Sequence, residues 1–83
     1  MKITPVEARV RWDRRQACPT SVRIGDRKLT VTALDAVRQE TAAYPANQGP
    51  RTTYLVETDA GQASLVFDAR RRRWYVEALD TAA

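Results

Sequence analysis

Apolar and charged side chains alternate near the start of the chain. Every second position is apolar, at Val6, Ala8, Val10 and Trp12. A period of two is typical of a strand with one buried and one solvated face. The pattern therefore predicts a strand over residues 6–13 with Trp12 facing the core. The polar residues that follow predict a loop that ends at Pro19.

A hairpin is predicted around Gly25-Asp26. Short runs rich in apolar and β-branched residues flank this dipeptide, and glycine supplies the positive φ that a two-residue turn requires. Such a turn fixes the register, so Arg23 is expected opposite Lys28. On this register four apolar side chains share one face: Val22, Ile24, Leu29 and Val31.

Residues 32–40 fit two structures. Thr32 and Asp35 have the spacing of a helix capping box, which predicts a short helix over residues 33–39. The alternative is that the preceding strand continues through this segment. Residues 41–50 contain prolines and a glycine, and they predict the longest loop of the chain.

The last third of the chain predicts a three-stranded meander. We expect strands at 52–58, 62–68 and 73–79, with a three-residue loop ending at Gly61 between the first two. This register gives one face a set of apolar residues: Leu55, Leu65, Phe67, Trp74 and Val76. The opposite face receives a second set: Tyr54, Val56, Val66 and Tyr75. A second apolar face is expected to be covered, either by the rest of the domain or by a partner.

These strands predict a single all-β domain over residues 1–83, with an ordered core at about 6–79. We expect five or six antiparallel strands in a small curled sheet or SH3-like barrel. No apolar run is long enough to span a membrane, and the first residues lack the apolar core of a signal peptide. A cytoplasmic location without a membrane partner is therefore expected.

The residue counts exclude several kinds of active site. The chain has no histidine and one cysteine, which excludes nucleophile–histidine sites and zinc sites built from cysteine and histidine within one chain. The acidic residues are scattered over turns and strand ends, and the predicted registers place no two of them side by side. We therefore expect no catalytic residue, no metal and no cofactor.

Basic residues outnumber acidic ones by 14 to 10, which gives a formal net charge of +4. The candidate anion-binding residues lie on the first strand and its loop, on the Gly25 hairpin and in the last connection: Arg11, Arg14, Arg15, Arg23, Lys28, Arg70, Arg71, Arg72 and Arg73. Clustered arginines at protruding turns favour contact with nucleic-acid phosphates. The alternative is a set of solvated turns that keep a β-protein soluble, with Glu7 as the acidic neighbour of Arg23 and Lys28.

Two uses are open for the second apolar face of the meander. Tyr54 and Tyr75 are candidate base-stacking residues, in a non-catalytic module that binds nucleic acid, or a nucleic-acid-bound protein, weakly and with little sequence preference. Alternatively, the whole face with Val56 and Val66 is a homodimer or adaptor interface. In that second case the protein is an interaction or self-association module.

Several segments together resemble a known family. Residues 19–31 carry a proline, a strand, a glycine turn and a second strand, and residues 34–38 follow with valine where the family usually has tryptophan. A strand containing Tyr54 and the closing Arg-Trp-Tyr-Val at 73–76 complete the pattern. This is similar to a small all-β bacterial domain of unknown function found alone in actinobacteria, and to a C-terminal extension of some Y-family translesion DNA polymerases. The resemblance covers residues 6–79 and implies a binding or accessory module near DNA, in DNA repair, with no catalytic residue.

Overall fold

The computed structural model describes residues 2–40 and 50–81, and six antiparallel strands account for most of them. In chain order they are β1 (Lys2–Asp13), β2 (Cys18–Ile24), β3 (Arg27–Glu40), β4 (Arg51–Thr58), β5 (Gly61–Asp68) and β6 (Arg73–Thr81). Each strand pairs with the next one along the chain, and β1 also pairs with β6, which closes the barrel. The prediction of a small all-β barrel is confirmed, and the open curled sheet is wrong.

The Gly25 hairpin has the predicted turn and register. Gly25 has a φ of 61°, and Arg23 lies opposite Lys28. An added Cβ at Gly25 would meet nothing within 4 Å. The backbone conformation, and not a lack of space, therefore favours glycine at this position.

The core fills the inside of the barrel and draws on all six strands, with two residues from β5 and one from each of the others. It consists of Ala8, Val22, Leu29, Val56, Ala63, Leu65 and Val76. Ile24 and Val31 pack against this cluster, so the four apolar residues of the first hairpin share the inner face as predicted. The predicted pairing of Phe67 with Trp74, between β5 and β6, is also confirmed.

The segment that fitted either a helix or a strand is part of β3. The predicted helix over 33–39 is therefore wrong, and the alternative of a continuing strand is right. The pairing of β3 with β4 shifts register twice, at Thr32 and at Asp35. A bulge adds one residue and breaks the period of two. The two bulges fall on the residues whose spacing imitated a capping box.

The turn between β4 and β5 is one residue shorter than predicted. It contains residues 59–60 alone, and Thr58 lies opposite Gly61. The Thr58 hydroxyl donates a hydrogen bond to the Gly61 carbonyl oxygen at 2.7 Å. Gly61 does have a positive φ, 130°, but it is the first residue of β5 and not the last residue of the loop.

This difference of one residue inverts both faces of β4, because successive side chains of a strand point to opposite sides. Tyr54 and Val56 turn toward the core, and Leu55 turns outward. Val66 and Tyr75 remain a pair on the outer side of β5 and β6. The predicted second face is therefore wrong, since two of its four residues point into the barrel.

One outward-facing residue of β5, Val66, is buried within the monomer. Val66 points outward, yet its exposed fraction is 0%. An ion pair between Arg51 on β4 and Glu77 on β6 joins the two strands that flank β5. Arg51 lies opposite Asp68, and Glu77 lies beside Ser64 and Leu65. The ion pair therefore crosses β5 near Val66. Burial of this valine therefore needs no second chain.

Two expectations concern the remainder of the chain. In residues 2–40 and 50–81, no helix has the length and apolar content needed to cross a bilayer. The loop predicted at 41–50 lies outside the described residues, apart from Pro50.

Candidate nucleic-acid interface

Three basic side chains form a row across three neighbouring strands. Arg9 on β1 lies opposite Arg23 on β2, and Arg23 lies opposite Lys28 on β3. All three residues are exposed. Adjacent strands are about 4.8 Å apart, so the backbones that carry this basic row span about 10 Å. Like charges directly opposite each other in a sheet are unfavourable, which makes the row a site that an anion would stabilise.

Several grooves adjoin the basic row, and two of them share Arg9 and Val10. The first, of about 450 Å³, is lined by the three residues of the row together with Val10, Arg11 and Ser21. The second, of about 420 Å³, runs from Arg9 and Val10 to residues 71–74 at the start of β6. Because Arg9 and Val10 line both grooves, one surface runs from β3 to the turn before β6, and it is basic except for Glu7, which pairs with Arg73 in the wall of the second groove. We call this surface the basic face.

The described acidic residues do not neutralise the basic row. Glu7, the acidic neighbour considered for this hairpin, accepts a hydrogen bond from the Arg73 guanidinium at 2.5 Å. Within the described part of the chain, no carboxylate forms an ion pair with Arg9, Arg23 or Lys28. Their charge therefore remains available to an external anion.

The other predicted basic residues lie in two turns at one end of the barrel. These turns carry Arg14 and Arg15 between β1 and β2, and Arg70, Arg71 and Arg72 between β5 and β6. Since β1 and β6 are antiparallel, the end of β1 and the start of β6 point to the same end of the barrel. We call it the arginine end.

The two turns of the arginine end are built alike. The Asp13 carboxylate accepts the backbone N–H two residues ahead at 2.8 Å, and the Asp68 carboxylate accepts the equivalent N–H at 3.0 Å. Both turns finish on a residue with positive φ, Ala17 at 53° and Arg72 at 54°. A hydrogen bond to Tyr75 raises the pKa of Arg71. The arginines are thus displayed on defined turns.

Four aromatic rings pack together at the same end. The ring of Trp74 is at the centre, with centroids 5.4 Å from Tyr54, 5.0 Å from Phe67 and 6.1 Å from Trp12. These tilted arrangements are favourable for aromatic pairs. Burial raises the pKa of the Tyr54 hydroxyl. Trp12 was predicted to be a core residue, but its exposed fraction is 39%, so that prediction is wrong.

The residues predicted for stacking or for an interface are thus separated. Tyr54 belongs to the aromatic cluster at the arginine end, and Val56 is in the core. Val66 lies under the Arg51–Glu77 pair, and Tyr75 contacts a neighbouring arginine on the outer surface. The structure does not bring these four residues together in one binding face.

Sequence reasoning missed Arg9 as a site residue. The alternation in β1 placed Arg9 on the outer face, but its position beside Arg23 depends on the register between β1 and β2. That register follows a four-residue turn and includes a bulge after Arg11. No simple turn motif in the sequence predicts this register.

Sequence reasoning also missed a pair of acidic side chains. Asp35 and Glu57 share a hydrogen bond, which together with the repulsion between their charges raises the pKa of Glu57. The Gln62 amide donates a hydrogen bond to the Asp35 carboxylate at 3.1 Å. The bulge of β3 at Asp35 creates this contact, so regular alternation could not have predicted it.

Comparison of the chain with protein-family models, with curated proteins and with solved structures found no match. The features that bear on function are therefore the basic face and the arginine end.

Proposed function

We propose that this protein is a non-catalytic module that binds the phosphate backbone of nucleic acid on its basic face. The observation that supports the proposal is the row of Arg9, Arg23 and Lys28, which carries three like charges on adjacent strands without an acidic partner among the described residues. Phosphates placed along the row would relieve this repulsion. Arg11, on the wall of the same groove, supplies a fourth cation.

The number of cations sets the expected strength and salt dependence of binding. Four phosphate contacts on a single strand predict that log K falls with log salt concentration with a slope of about −2.8. A formal net charge of +4 is modest for a nucleic-acid-binding protein. Binding is therefore weak at physiological salt and nearly independent of base sequence, because phosphate contacts carry no sequence information.

The test measures binding of a fluorescently labelled dT12 strand by anisotropy between 20 and about 200 mM salt, a range over which counterion release changes affinity strongly. The variant Arg23→Gln/Lys28→Gln removes two cations of the basic row. The control Arg27→Gln/Arg38→Gln removes two exposed arginines that line neither groove. Both double variants lower the formal net charge from +4 to +2.

We expect the first variant to bind more weakly and to lose about 1.4 units of salt slope, since each single-strand contact contributes about 0.7. We expect the control to keep the slope of the wild type. Equal losses in both variants would mean that net charge alone attracts the strand. Absence of binding by the wild type at low salt would reject the proposed function.

The charge pattern also suits a protein that is itself bound to nucleic acid. The same experiment distinguishes the two partners, because a module that binds only such a protein would not bind bare dT12. A cytoplasmic role near DNA repair is part of this proposal and rests on the sequence resemblance alone, because the comparisons found no match. Self-association is less well supported, since the proposed interface would need Val56, which is buried in the core, and Val66, which is covered within the monomer.

A further inference from the structure

The aromatic cluster at the arginine end has an open side. Most large apolar residues of a small barrel face its interior, but Trp12 exposes 39% of its surface. Its ring meets the ring of Tyr54 edge-on, with centroids 5.6 Å apart and an interplanar angle of 76°. Tyr54 and Trp74 therefore support the Trp12 ring from the barrel side and leave part of the indole accessible.

The strand pairing explains why Trp12 is exposed. The pairing of β1 with β6 ends at Ala8 opposite Trp74. Beyond that point β1 pairs with β2 alone, and a bulge separates the pairs of Arg11 and Trp12. The Thr20 hydroxyl stabilises this bulge by donating to the Arg11 carbonyl oxygen at 3.1 Å. The end of β1 thus extends past its neighbour β6, and none of the described strands covers Trp12 on that side.

Trp12 lines neither groove of the basic face, but its ring contacts Trp74, which lines the second groove. The groove that runs from Arg9 to residues 71–73 also has Trp74 in its wall, and the Trp74 ring is 6.1 Å from the ring of Trp12. A strand whose phosphates follow the basic face would therefore reach the aromatic cluster at the arginine end. Arg11, which precedes Trp12 on β1, and Arg14, in the turn after Asp13, are both exposed arginines.

We propose that Trp12 is a stacking platform for an unpaired base, and that the ligand of this module is single-stranded nucleic acid. This inference rests on the proposed function, because the basic face must first hold the backbone. A flat, supported aromatic ring beside a cationic groove is the arrangement that binds single strands without sequence preference, since every base offers a π-face. A base within a duplex has both faces covered by its neighbours, so the platform selects against duplexes.

The test compares three ligands for the wild-type protein: dT12, a strand of twelve abasic sites with the same phosphates, and a twelve-base-pair duplex. Stacking of one base strengthens binding by about five- to a hundredfold, so dT12 is expected to bind more tightly than the abasic strand by that factor. Trp12→Leu is expected to lower dT12 affinity to the abasic level and to leave abasic binding unchanged. Trp12→Phe keeps an aromatic ring and is expected to retain part of the preference.

The outcomes separate the two proposals. If dT12 and the abasic strand bind equally well and with the same salt slope, the stacking platform is rejected and the backbone-binding function stands. If neither strand binds, the proposed function fails and the inference fails with it. Tighter binding of the duplex than of dT12 would also overturn the inference. Because the ligand comparison uses wild-type protein, it decides whether a base stacks even if Trp12→Leu does not fold. Trp12→Phe then assigns the stacking, since an unchanged preference for dT12 in that variant would mean that another ring is the platform.

Discussion

The register of β4 can be tested by two neighbouring substitutions. In the structure Val56 is fully buried in the core, and Leu55 is half-buried on the outer side of the sheet. If β4 were shifted by one residue, Leu55 would instead pack beside Leu65 inside the barrel. Val56→Ala and Leu55→Ala therefore have opposite rank orders of destabilisation under the two registers.

The expected magnitudes follow from burial. Val56→Ala removes two fully buried carbons, worth about 0.8 kcal/mol each, and leaves a cavity, so we expect a loss of about 2–3 kcal/mol in the free energy of unfolding. Leu55→Ala removes three carbons that are only half-buried and face outward, and we expect a loss of about 1 kcal/mol. A domain of this size has a total stability of about 4–12 kcal/mol, so both variants remain folded.

Thermal unfolding followed by circular dichroism measures the difference. At about 4–8 °C per kcal/mol, Val56→Ala is expected to lower Tm by about 10–20 °C and Leu55→Ala by about 4–8 °C. Leu65→Ala serves as the reference, because Leu65 is fully buried and its truncation costs about 2–5 kcal/mol under either register. A larger loss for Leu55→Ala than for Val56→Ala would refute the β4 register.

Three further predictions concern backbone conformation and charge. Ala17→Gly is expected to raise the unfolding free energy by about 0.5–1 kcal/mol, because Ala17 has a φ of 53°, which glycine adopts without strain. Ala69→Gly, in the matching turn, is the control. Equal effects of the two substitutions on the unfolding free energy would contradict this explanation. Gly61→Val is expected to lower Tm strongly, because Gly61 has a φ of 130°, a conformation that β-branched residues rarely adopt, and an unchanged melt would show that the turn is built differently. Asp35 raises the pKa of Glu57, so Glu57→Gln is expected to be more stable than wild type at neutral pH. The difference in stability should shrink as the pH falls below the raised pKa. A difference in Tm that does not change with pH would contradict the hydrogen bond between Asp35 and Glu57.

Regular alternation and tight turns made part of the fold predictable. The period of two in β1 indicates a strand, and the glycine turn between β2 and β3 fixes the register of that hairpin; the structure has both the strand and the turn. The pairing of β5 with β6 was also predicted correctly, with Phe67 opposite Trp74. In each case one face is clearly apolar, so a shift of one residue would expose the core.

The remaining features of the fold could not be predicted, because they depend on local irregularities of the strands. Tyr54, Leu55 and Val56 are consecutive apolar residues, so alternation could not decide which face of β4 is buried. The two bulges in β3 and the bulge between β1 and β2 depend on contacts between strands and have no local pattern. The candidate site was the part least predictable from the sequence, because both the row through Arg9 and the exposure of Trp12 depend on where β1 pairs with β2 and β6.

The closure of the barrel has a consequence for its dynamics. Five of the six strand pairings join neighbours along the chain, but the β1–β6 pairing brings together residues 66 positions apart, such as Ala8 and Trp74. No turn joins β1 to β6, so this seam can open while the five other pairings stay in place. We therefore expect its amide hydrogens to exchange faster than those of the strand pairs that a turn connects. The groove from Arg9 to Arg73 lies across this seam, so an occupant of the groove would hold the two strands together and slow that exchange.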